Sequence, residues 1–261
     1  MGDIKKYLRT INKGKYKYVL EEYDLDSIKD VTPTENLEKD KKYIPEIYHK
    51  LRHRSVKMPE AIYECSGINI LGKRIKSLLF TTDIAIISNS NADAVMAVYP
   101  FTAQLSITQA ILNNSSVPVL AGVGGGTTNG KRSVYLSLQS ELMGVYGVVV
   151  NAPMPNEDVK EMAAYLDIPI VATVSSTKDD YKAKIEAGAG ILNVSGGADT
   201  AELVRKIREE IGPHFPIIAT GGPTDSSIRE TIKAGANAIT YTPPTSADIF
   251  AQLMEDYRKT E

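Results

Sequence analysis

Short apolar runs alternate with amphipathic segments along most of this chain. The runs begin near Val95, Val117, Gly147, Pro169, Ile191, Pro216 and Ala238. Successive starts lie roughly 22 to 30 residues apart, which leaves room for one strand, one helix and two short loops in each interval. This spacing predicts repeated βα units.

The apolar runs themselves indicate parallel strands. Residues 148–150, 168–174 and 217–219 lack polar alternation, as expected of strands that are buried on both faces. Upstream, residues 68–71 and 75–81 flank the turn Gly72-Lys73 and predict a hairpin that leads into a first barrel strand. Counting the strand near Leu78 as the first gives eight strands.

The segments between the runs have helical periodicity, which is clearest in residues 159–166 and 203–211. Three residue pairs have capping-box spacing at predicted helix starts: Ser176 with Asp179, Asp199 with Glu202, and Thr245 with Asp248. The pattern predicts an α/β fold, a (β/α)8 TIM barrel over residues 67–261. An open, doubly wound sheet of eight strands is the alternative, because periodicity does not report closure.

Residues 1–66 differ from the rest and are rich in Lys, Glu and Tyr. We interpret them as a helical N-terminal extension of short helices broken at Pro33, Pro45 and Pro59. Its tyrosines are expected to pack on the barrel or on a second subunit, so the chain is a candidate homo-oligomer. Glu46, His49 and His53 share a helical face at metal-ligand spacing, but Lys50, Arg52 and Arg54 beside them favour a solvated basic face, and we predict no metal site.

Composition narrows the range of partners. A net charge of -2 provides no field that would attract nucleic acid or an anionic membrane, so we expect a small-molecule partner. Cys65 is the only cysteine, which excludes an intrachain disulfide, and the sequence contains no apolar run long enough to span a bilayer. We therefore expect a cytoplasmic protein.

The segments that follow the predicted strands share one chemistry. They are rich in glycine, hydroxyl and amide groups, with few carboxylates and no histidine. In a barrel these segments surround one common mouth. Glycine allows backbone N–H groups to approach a ligand, and a helix N-terminus adds partial positive charge, so the mouth is predicted to bind an anion. The alternative is that these glycines only form tight turns.

Residues 217–222, with the sequence Ile-Ile-Ala-Thr-Gly-Gly, and the segment 228–238 resemble the seventh and eighth units of phosphate-binding barrels. That superfamily includes thiamin-phosphate synthase, keto-deoxy-phosphogluconate aldolase and IMP dehydrogenase. The resemblance covers about a fifth of the chain and implies a phosphate held by Gly221, Gly222 and Thr242. The chain departs from the superfamily after the last strand, where it has Tyr241 to Pro244 in place of a glycine and a small residue. The turn Ser195-Gly196-Gly197 would compensate for that difference.

Three side chains are candidate catalytic groups. Asp83 ends the first strand, where it would act as a general base or alternatively cap the next helix. Lys178 would pair with an anion or form a Schiff base, although a solvated surface position is the alternative. Asn151 ends the fourth strand and would orient a carbonyl or hydroxyl, or bond only to its own turn.

The loop after the third strand contains Gly125, Gly130 and Lys131 at P-loop spacing. Arg132 stands where a P-loop has the Ser or Thr that binds magnesium, and the next strand ends without an Asp. We therefore predict a mobile loop over the mouth, with Lys131 and Arg132 available to a negative ligand.

These observations together predict an enzyme without a redox cofactor that acts on a small phosphorylated or otherwise anionic metabolite as a lyase, aldolase, synthase or isomerase. An FMN-binding oxidoreductase is one alternative, since such barrels hold the cofactor phosphate on the same loops. A hydrolase or a non-catalytic small-molecule-binding barrel is the other.

Overall fold

The computed structural model of the protein describes residues 8–13, 16–21, 45 and 56–259. Eight parallel strands close into a barrel, so the (β/α)8 prediction is confirmed and the open sheet is excluded. The barrel strands are β5 (Ser77–Phe80), β6 (Ala94–Ala97), β7 (Val119–Gly124), β8 (Gly147–Val150), β9 (Ile170–Val174), β10 (Ile191–Val194), β11 (Ile217–Thr220) and β12 (Ala238–Tyr241). Strand β12 pairs with β5 and closes the ring.

Each barrel strand is followed by an α-helix. The helices are α1 (Ile84–Ser88), α2 (Leu105–Asn114), α3 (Gly130–Leu142), α4 (Asn156–Ala163), α5 (Tyr181–Glu186), α6 (Thr200–Ile211), α7 (Asp225–Lys233) and α8 (Ser246–Lys259). Apolar side chains on the outer faces of the strands and the inner faces of the helices form one continuous core. None of the helices in the described ranges is long and apolar enough to cross a membrane.

A second apolar cluster fills the inside of the barrel. It contains inward-facing strand residues such as Leu78 and Ile218, together with Ile68, Ile70 and Ile75 of the antiparallel hairpin formed by β3 (Ile68–Ile70) and β4 (Lys73–Ile75). The hairpin ends just before β5 begins, so it covers the end of the barrel at which the strands start. Among the residues that the structure describes, nothing comparable covers the opposite end, where the strands finish.

The described part of the N-terminal extension contains a strand hairpin in addition to a short helix, whereas short helices alone were predicted. Strands β1 (Leu8–Lys13) and β2 (Tyr16–Glu21) pair as an antiparallel hairpin, and residues Glu60–Glu64 form a 3-10 helix. β-branched and aromatic residues are frequent in both strands and favour extended backbone. The breaks predicted at Pro33 and the weak cluster of Glu46, His49 and His53 lie outside the described residues.

The chain from Val56 packs on the barrel as part of its outer core. Val56, Met58 and Ile62 are buried in the cluster that also holds the barrel helices. An ion pair between Glu64 and Arg229, 2.8 Å apart, joins the 3-10 helix to α7.

The predicted capping pairs have three different outcomes. Thr245 and Asp248 cap α8 as predicted, with each residue's backbone N–H donating to the other's side chain at 3.0 and 3.1 Å. Asp199 is the N-cap residue of α6, so the predicted helix start is correct, but its side chain makes no capping hydrogen bond. Asp179 binds the N–H groups of Ser175 and Ser176, but α5 begins later and Asp180 caps it.

Candidate functional site

A cavity of about 210 Å³ occupies the open mouth of the barrel. Its walls are side chains from the C-terminal ends of seven strands and the residues just beyond them. They are Phe80, Met96, Val98, Val149, Asn151, Thr173, Asn193, Ser195, Thr220, Thr240 and Thr242. The barrel thus concentrates residues that are far apart in the sequence at one small site.

The mouth has one apolar wall and one polar wall. Phe80, Met96, Val98 and Val149 form the apolar wall on the side of β5 to β8. Hydroxyl and amide groups from β9 to β12 form the polar wall. The side chains of the polar wall are hydrogen-bonded to one another: Asn193 Nδ2 donates to Thr173 Oγ1, and Thr220 Oγ1 donates to Ser195 Oγ, both at 3.2 Å. A ligand of this mouth is expected to be amphipathic.

Asn193 is the most unusual residue of the polar wall. Its side chain is 6% exposed, and its Oδ1 has no hydrogen-bond partner among the described residues. A buried polar atom without a partner costs free energy, and such atoms are concentrated at functional sites. Asn193 was not predicted from the sequence, although a single amide inside the apolar run of β10 was the available signal.

A second cavity of about 310 Å³ lies beside the mouth, between the loops that follow β6 and β7. Its lining residues are Val98, Tyr99, Pro100, Phe101, Ala103, Gly122, Gly124, Gly126, Thr127, Thr128 and Asn151. We call it the glycine pocket. Val98 and Asn151 line both cavities, so the two are adjacent parts of one depression.

Asn151 lies where the two cavities meet. Its backbone N–H donates to the carbonyl of Gly124 at 2.9 Å, and its carbonyl accepts from the N–H of Met154 at 3.0 Å. The backbone is therefore held by both neighbouring segments while the side chain faces the cavities. This position agrees with the predicted role of Asn151 in orienting a ligand, which stays a prediction.

The predicted phosphate-binding residues are only partly brought together. Ser195 and Thr242 line the mouth, whereas Gly196, Gly197, Gly221 and Gly222 line neither cavity. The N–H of Gly196 already donates to Thr200 Oγ1 at 3.0 Å.

Gly221 has a packing role. A Cβ at this position would lie 2.7 Å from Ile239 Cγ2 and 2.8 Å from Ile228 Cγ1. A glycine is therefore needed here to let α7 pack closely on the sheet, which was the alternative interpretation of these glycines.

Asp83 occupies a structural position. Its Oδ1 accepts the N–H groups of Ala85 and Ile86 at the start of α1, and its Oδ2 accepts the N–H of Ser246 at 2.9 Å. Burial by itself raises the pKa of Asp83, but the hydrogen bonds from Ser246, Ile86 and Ala85 outweigh burial and lower that pKa. The carboxylate caps two helices, and Asp83 lines neither cavity.

Lys178 is exposed and lies outside both cavities, with its backbone N–H donating to Ser176 Oγ at 3.2 Å. The buried lysine of this region is Lys184, which is 5% exposed and donates from Nζ to the carbonyl of Met154 at 3.1 Å. Burial lowers the pKa of Lys184, against the opposing effect of Asp179 and Asp180. The hydrogen bond to Met154 stabilises the loop after β8, and Lys184 does not line the mouth.

Tyr99 is the only ionisable side chain that lines either cavity within the described residues. Its hydroxyl accepts the backbone N–H of Gln104 at 2.8 Å. No carboxylate, histidine, lysine, arginine or cysteine belongs to either lining. What the two cavities offer a ligand is therefore hydroxyl, amide and backbone groups together with apolar surface.

No family model matches the sequence, and no curated protein matches it. Solved structures do match the fold. A 2,3-dimethylmalate lyase of the PEP mutase/isocitrate lyase superfamily has a TM-score of 0.55 at 14% identity, with 77% of this chain and 84% of that chain covered.

Two further solved structures give similar values. A phosphonopyruvate hydrolase in complex with oxalate and Mg²⁺ has a TM-score of 0.54 at 14% identity, covering 71% of this chain and 82% of that one. An oxaloacetate acetylhydrolase has a TM-score of 0.54 at 14% identity, covering 69% of this chain and 79% of that one. At this identity the similarity shows the barrel fold alone.

These structures bear on two of the sequence-based expectations. A phosphate-binding barrel agrees with them at the level of the fold, but the three families named from residues 217–238 are not among them. They also give no support to the FMN alternative.

The Mg²⁺ of the phosphonopyruvate hydrolase complex does not fit the residues found here. Magnesium is usually held by one or two carboxylates and waters. The linings of both cavities contain no carboxylate, and no group of three potential metal-binding side chains occurs in the part of the chain that the structure describes. We derive no role for a metal at this mouth.

Proposed function

We propose that the protein binds a small anionic metabolite at the mouth of the barrel and converts it as a lyase or isomerase. The observation that carries this proposal is the convergence of uncharged hydrogen-bonding side chains from β8 to β12 on one cavity. Similarity to barrels whose names describe enzymes of phosphonopyruvate, dimethylmalate and oxaloacetate supports the anionic substrate class.

Uncharged hydrogen-bond donors, such as those of the mouth, can bind an anionic substrate and also stabilise it during a reaction. Hydroxyl, amide and backbone N–H groups stabilise negative charge through hydrogen bonds that are oriented before the reaction begins. Asn151 and Asn193 would bind oxygen atoms of the ligand, and Thr220 with Ser195 would contact its polar edge. The apolar wall at Met96 would exclude water from the opposite side of the ligand and thereby strengthen those hydrogen bonds.

One observation favours a second candidate, a barrel that binds its ligand without turnover. General acid-base catalysis needs a titratable group within hydrogen-bond reach of the substrate. Asp83 is committed to two helix caps, Lys178 is remote, and Tyr99 is the single ionisable group of the linings. Binding and turnover therefore need separate measurements.

The test is a panel of small phosphorylated and carboxylated metabolites, screened by thermal shift on the full chain and then followed by NMR for conversion. Asn193→Leu and Thr220→Val should each abolish the stabilisation by any hit. Thr108→Val, which alters a buried hydroxyl on α2 away from the mouth, is the matched control and should retain it.

The outcomes separate the two candidates. A hit that is lost in the mouth variants and converted by the wild type supports the enzyme. A hit that is lost in the same variants but never converted supports the binding protein. Binding that survives both mouth substitutions would refute the mouth as the site.

A further inference from the structure

We infer that the oxyanion of the ligand binds in the glycine pocket, on the backbone and hydroxyl groups of residues 124–128, while the rest of the ligand extends across the polar wall of the mouth. This inference rests on the proposed function and adds the position and chemical class of one part of the ligand. It places the negative charge after β7, and not on the loops after β10 to β12.

Three glycines bring backbone to the surface of the glycine pocket. Gly122, Gly124 and Gly126 line it directly. A Cβ at Gly125 would lie 2.6 Å from the backbone nitrogen of Asn151, so the loop is pressed against the end of β8. Gly124 and Gly125 have φ values of +156° and +95°, which side chains rarely allow. The glycines thus bring N–H groups to the surface of the pocket.

Two successive N–H groups of this loop, those of Gly126 and Thr127, are available to a ligand. The N–H of Gly125 donates to the carbonyl of Thr128, and that of Gly130 donates to Asp158 Oδ2 at 2.7 Å. Between them, the N–H groups of Gly126 and Thr127 donate to no group within the described ranges. Successive backbone N–H groups in a glycine-rich turn form a concavity that suits an oxyanion.

A buried hydroxyl is the independent sign of a ligand. Thr128 lines the glycine pocket at 5% exposure, and its Oγ1 has no hydrogen-bond partner in the described part of the chain. Thr127 lies beside it with its Oγ1 3.5 Å from Thr102 Oγ1 of the preceding loop. Two hydroxyl groups from one turn therefore supplement the backbone donors.

The N-terminus of α3, next to this pocket, favours an anion. Lys131 and Arg132 lie in the first turn of the 13-residue helix α3, whose N-terminus carries partial positive charge. The two nearby carboxylates already have partners: Asp158 accepts the N–H of Gly130, and Glu161 pairs with Lys131.

The loops after β9 to β12 are less suited to negative charge. They carry several carboxylates at or near the helix starts, namely Asp179, Asp180, Asp199, Asp225 and Asp248. Many of their N–H groups are also occupied. Asp179 binds those of Ser175 and Ser176, and Ser227 accepts that of Thr224.

The two cavities together define the shape of the ligand. Val98 and Asn151 line both, so a molecule with its oxyanion near Thr127 would pass Asn151 and reach Asn193. The unpartnered Oδ1 of Asn193 calls for a hydrogen-bond donor, such as a hydroxyl group, on the uncharged part of the ligand. The structure thus favours a ligand that carries a phosphate or carboxylate group at one end and a hydroxyl group at the other. A simple dicarboxylic acid, which lacks the hydroxyl group, fits less well.

The test uses inorganic phosphate and malonate as probes, titrated calorimetrically into the full chain at constant ionic strength. Gly126→Asp places a carboxylate at the pocket without backbone strain, because an added Cβ meets only Asn151 Nδ2 at 3.9 Å. It should raise the dissociation constant of the bound probe by at least about tenfold, since like charges repel. Gly126→Asn, of the same size, should raise it less.

Gly197→Asp is the control at the competing loop: an added Cβ meets nothing within 4 Å, and Asp is one of the few side chains that adopt a positive φ such as the +64° of Gly197. It should leave the dissociation constant of the probe nearly unchanged. Thr127→Val tests a hydroxyl directly and should weaken binding roughly tenfold, as expected for losing a hydrogen bond to a charged group. This variant keeps the test decisive if Gly126→Asp does not fold.

Two results would overturn the inference. One is loss of binding in Gly197→Asp but not in Gly126→Asp or Thr127→Val, which would return the oxyanion to the loop after β10 and leave the proposed function intact. The other is a wild type that binds neither probe. The proposed function then stands or fails independently on the metabolite panel and the Asn193→Leu variant.

Discussion

The side chain of Asp83 accepts a hydrogen bond from the backbone N–H of Ser246, 163 positions further along the chain, at 2.9 Å. The same carboxylate caps α1, so one residue joins the first helix of the barrel to the start of the last. The contact lies beside the β5 and β12 pairing that closes the ring. Asp83 therefore stabilises closure of the barrel.

Replacing Asp83 by Ala should lower the free energy of unfolding by about 1 to 2 kcal/mol, the usual range for a lost N-cap. Asp83→Asn should have a smaller effect, because its single carbonyl oxygen can satisfy only one of the two helix starts. Urea unfolding measures both. Asp225→Ala, which removes an acidic residue from the first turn of α7 that Thr224 caps, is the control. A fully stable Asp83→Ala protein that loses turnover would instead favour the catalytic role.

The same carboxylate predicts a dependence of stability on pH. The pKa of Asp83 is lowered in the folded protein relative to about 3.9 for an unfolded chain. Its contribution should be complete above the unfolded value and should be lost as the pH falls through the folded value. Below that range, wild type and Asp83→Ala should converge in unfolding free energy. A difference that persists in strong acid would contradict this assignment.

Lys184 predicts a second dependence of stability on pH, in the alkaline range. Burial lowers its pKa in the folded protein, so between that pKa and about 10.4 the unfolded chain binds more protons. The contribution of Lys184 to stability should therefore rise as the pH increases through this interval. Lys184→Met should lack that rise when unfolding is measured at several alkaline pH values. The exposed Lys206→Met variant should keep it.

Gly221 tests the packing interpretation of the Gly-Gly turn after β11. Gly221→Ala would force a methyl group against Ile228 and Ile239 and should destabilise the protein by about 1 to 3 kcal/mol. Gly126→Ala, whose Cβ has no contact closer than 3.9 Å, should leave the melting temperature nearly unchanged. A Gly221→Ala protein with normal stability and weakened phosphate binding would restore the phosphate-binding role of Gly221.

Metal removal tests the chemistry of the mouth. Because the linings offer no carboxylate, treatment with EDTA should leave the affinity for any metabolite hit unchanged, and added Mg²⁺ should not increase it. Calorimetry with and without EDTA on the same protein sample makes the comparison. A loss of affinity of tenfold or more on chelation would show that a metal participates.

The predicted strands coincide closely with the observed ones because a parallel barrel buries both faces of each strand. Residues 148–150 and 217–219 are apolar throughout, and such a run can be recognised from a few neighbouring residues. The same reasoning failed for Asp199, where capping-box spacing was present but the side chain makes no capping bond, because a 3-10 turn precedes α6. Spacing alone does not determine the direction of a side chain at a helix start.

Part of the candidate site was predicted correctly from the sequence. Asn151, Ser195 and Thr242 line the mouth as their positions after strands suggested. Asn193 was missed because it lies within β10, whereas the site was predicted from the residues that follow the strands. The sequence could not decide whether Asp83 is a general base or a helix cap. Its hydrogen-bond partner Ser246 follows the last strand, 163 positions away, and nothing in the local sequence indicates that contact.

The order of strands and helices could be predicted from the amino-acid sequence, since apolar runs and helical periodicity depend on residues that are close along the chain. Closure of the sheet, the contact between Asp83 and Ser246, and the position of Asn151 where two cavities meet became known only from the three-dimensional fold. Those relationships depend on the stagger of strands around the ring and on which side of each strand faces inward. Neither quantity can be read from spacing along the chain, so the chemistry of the mouth became visible only when distant residues were brought together.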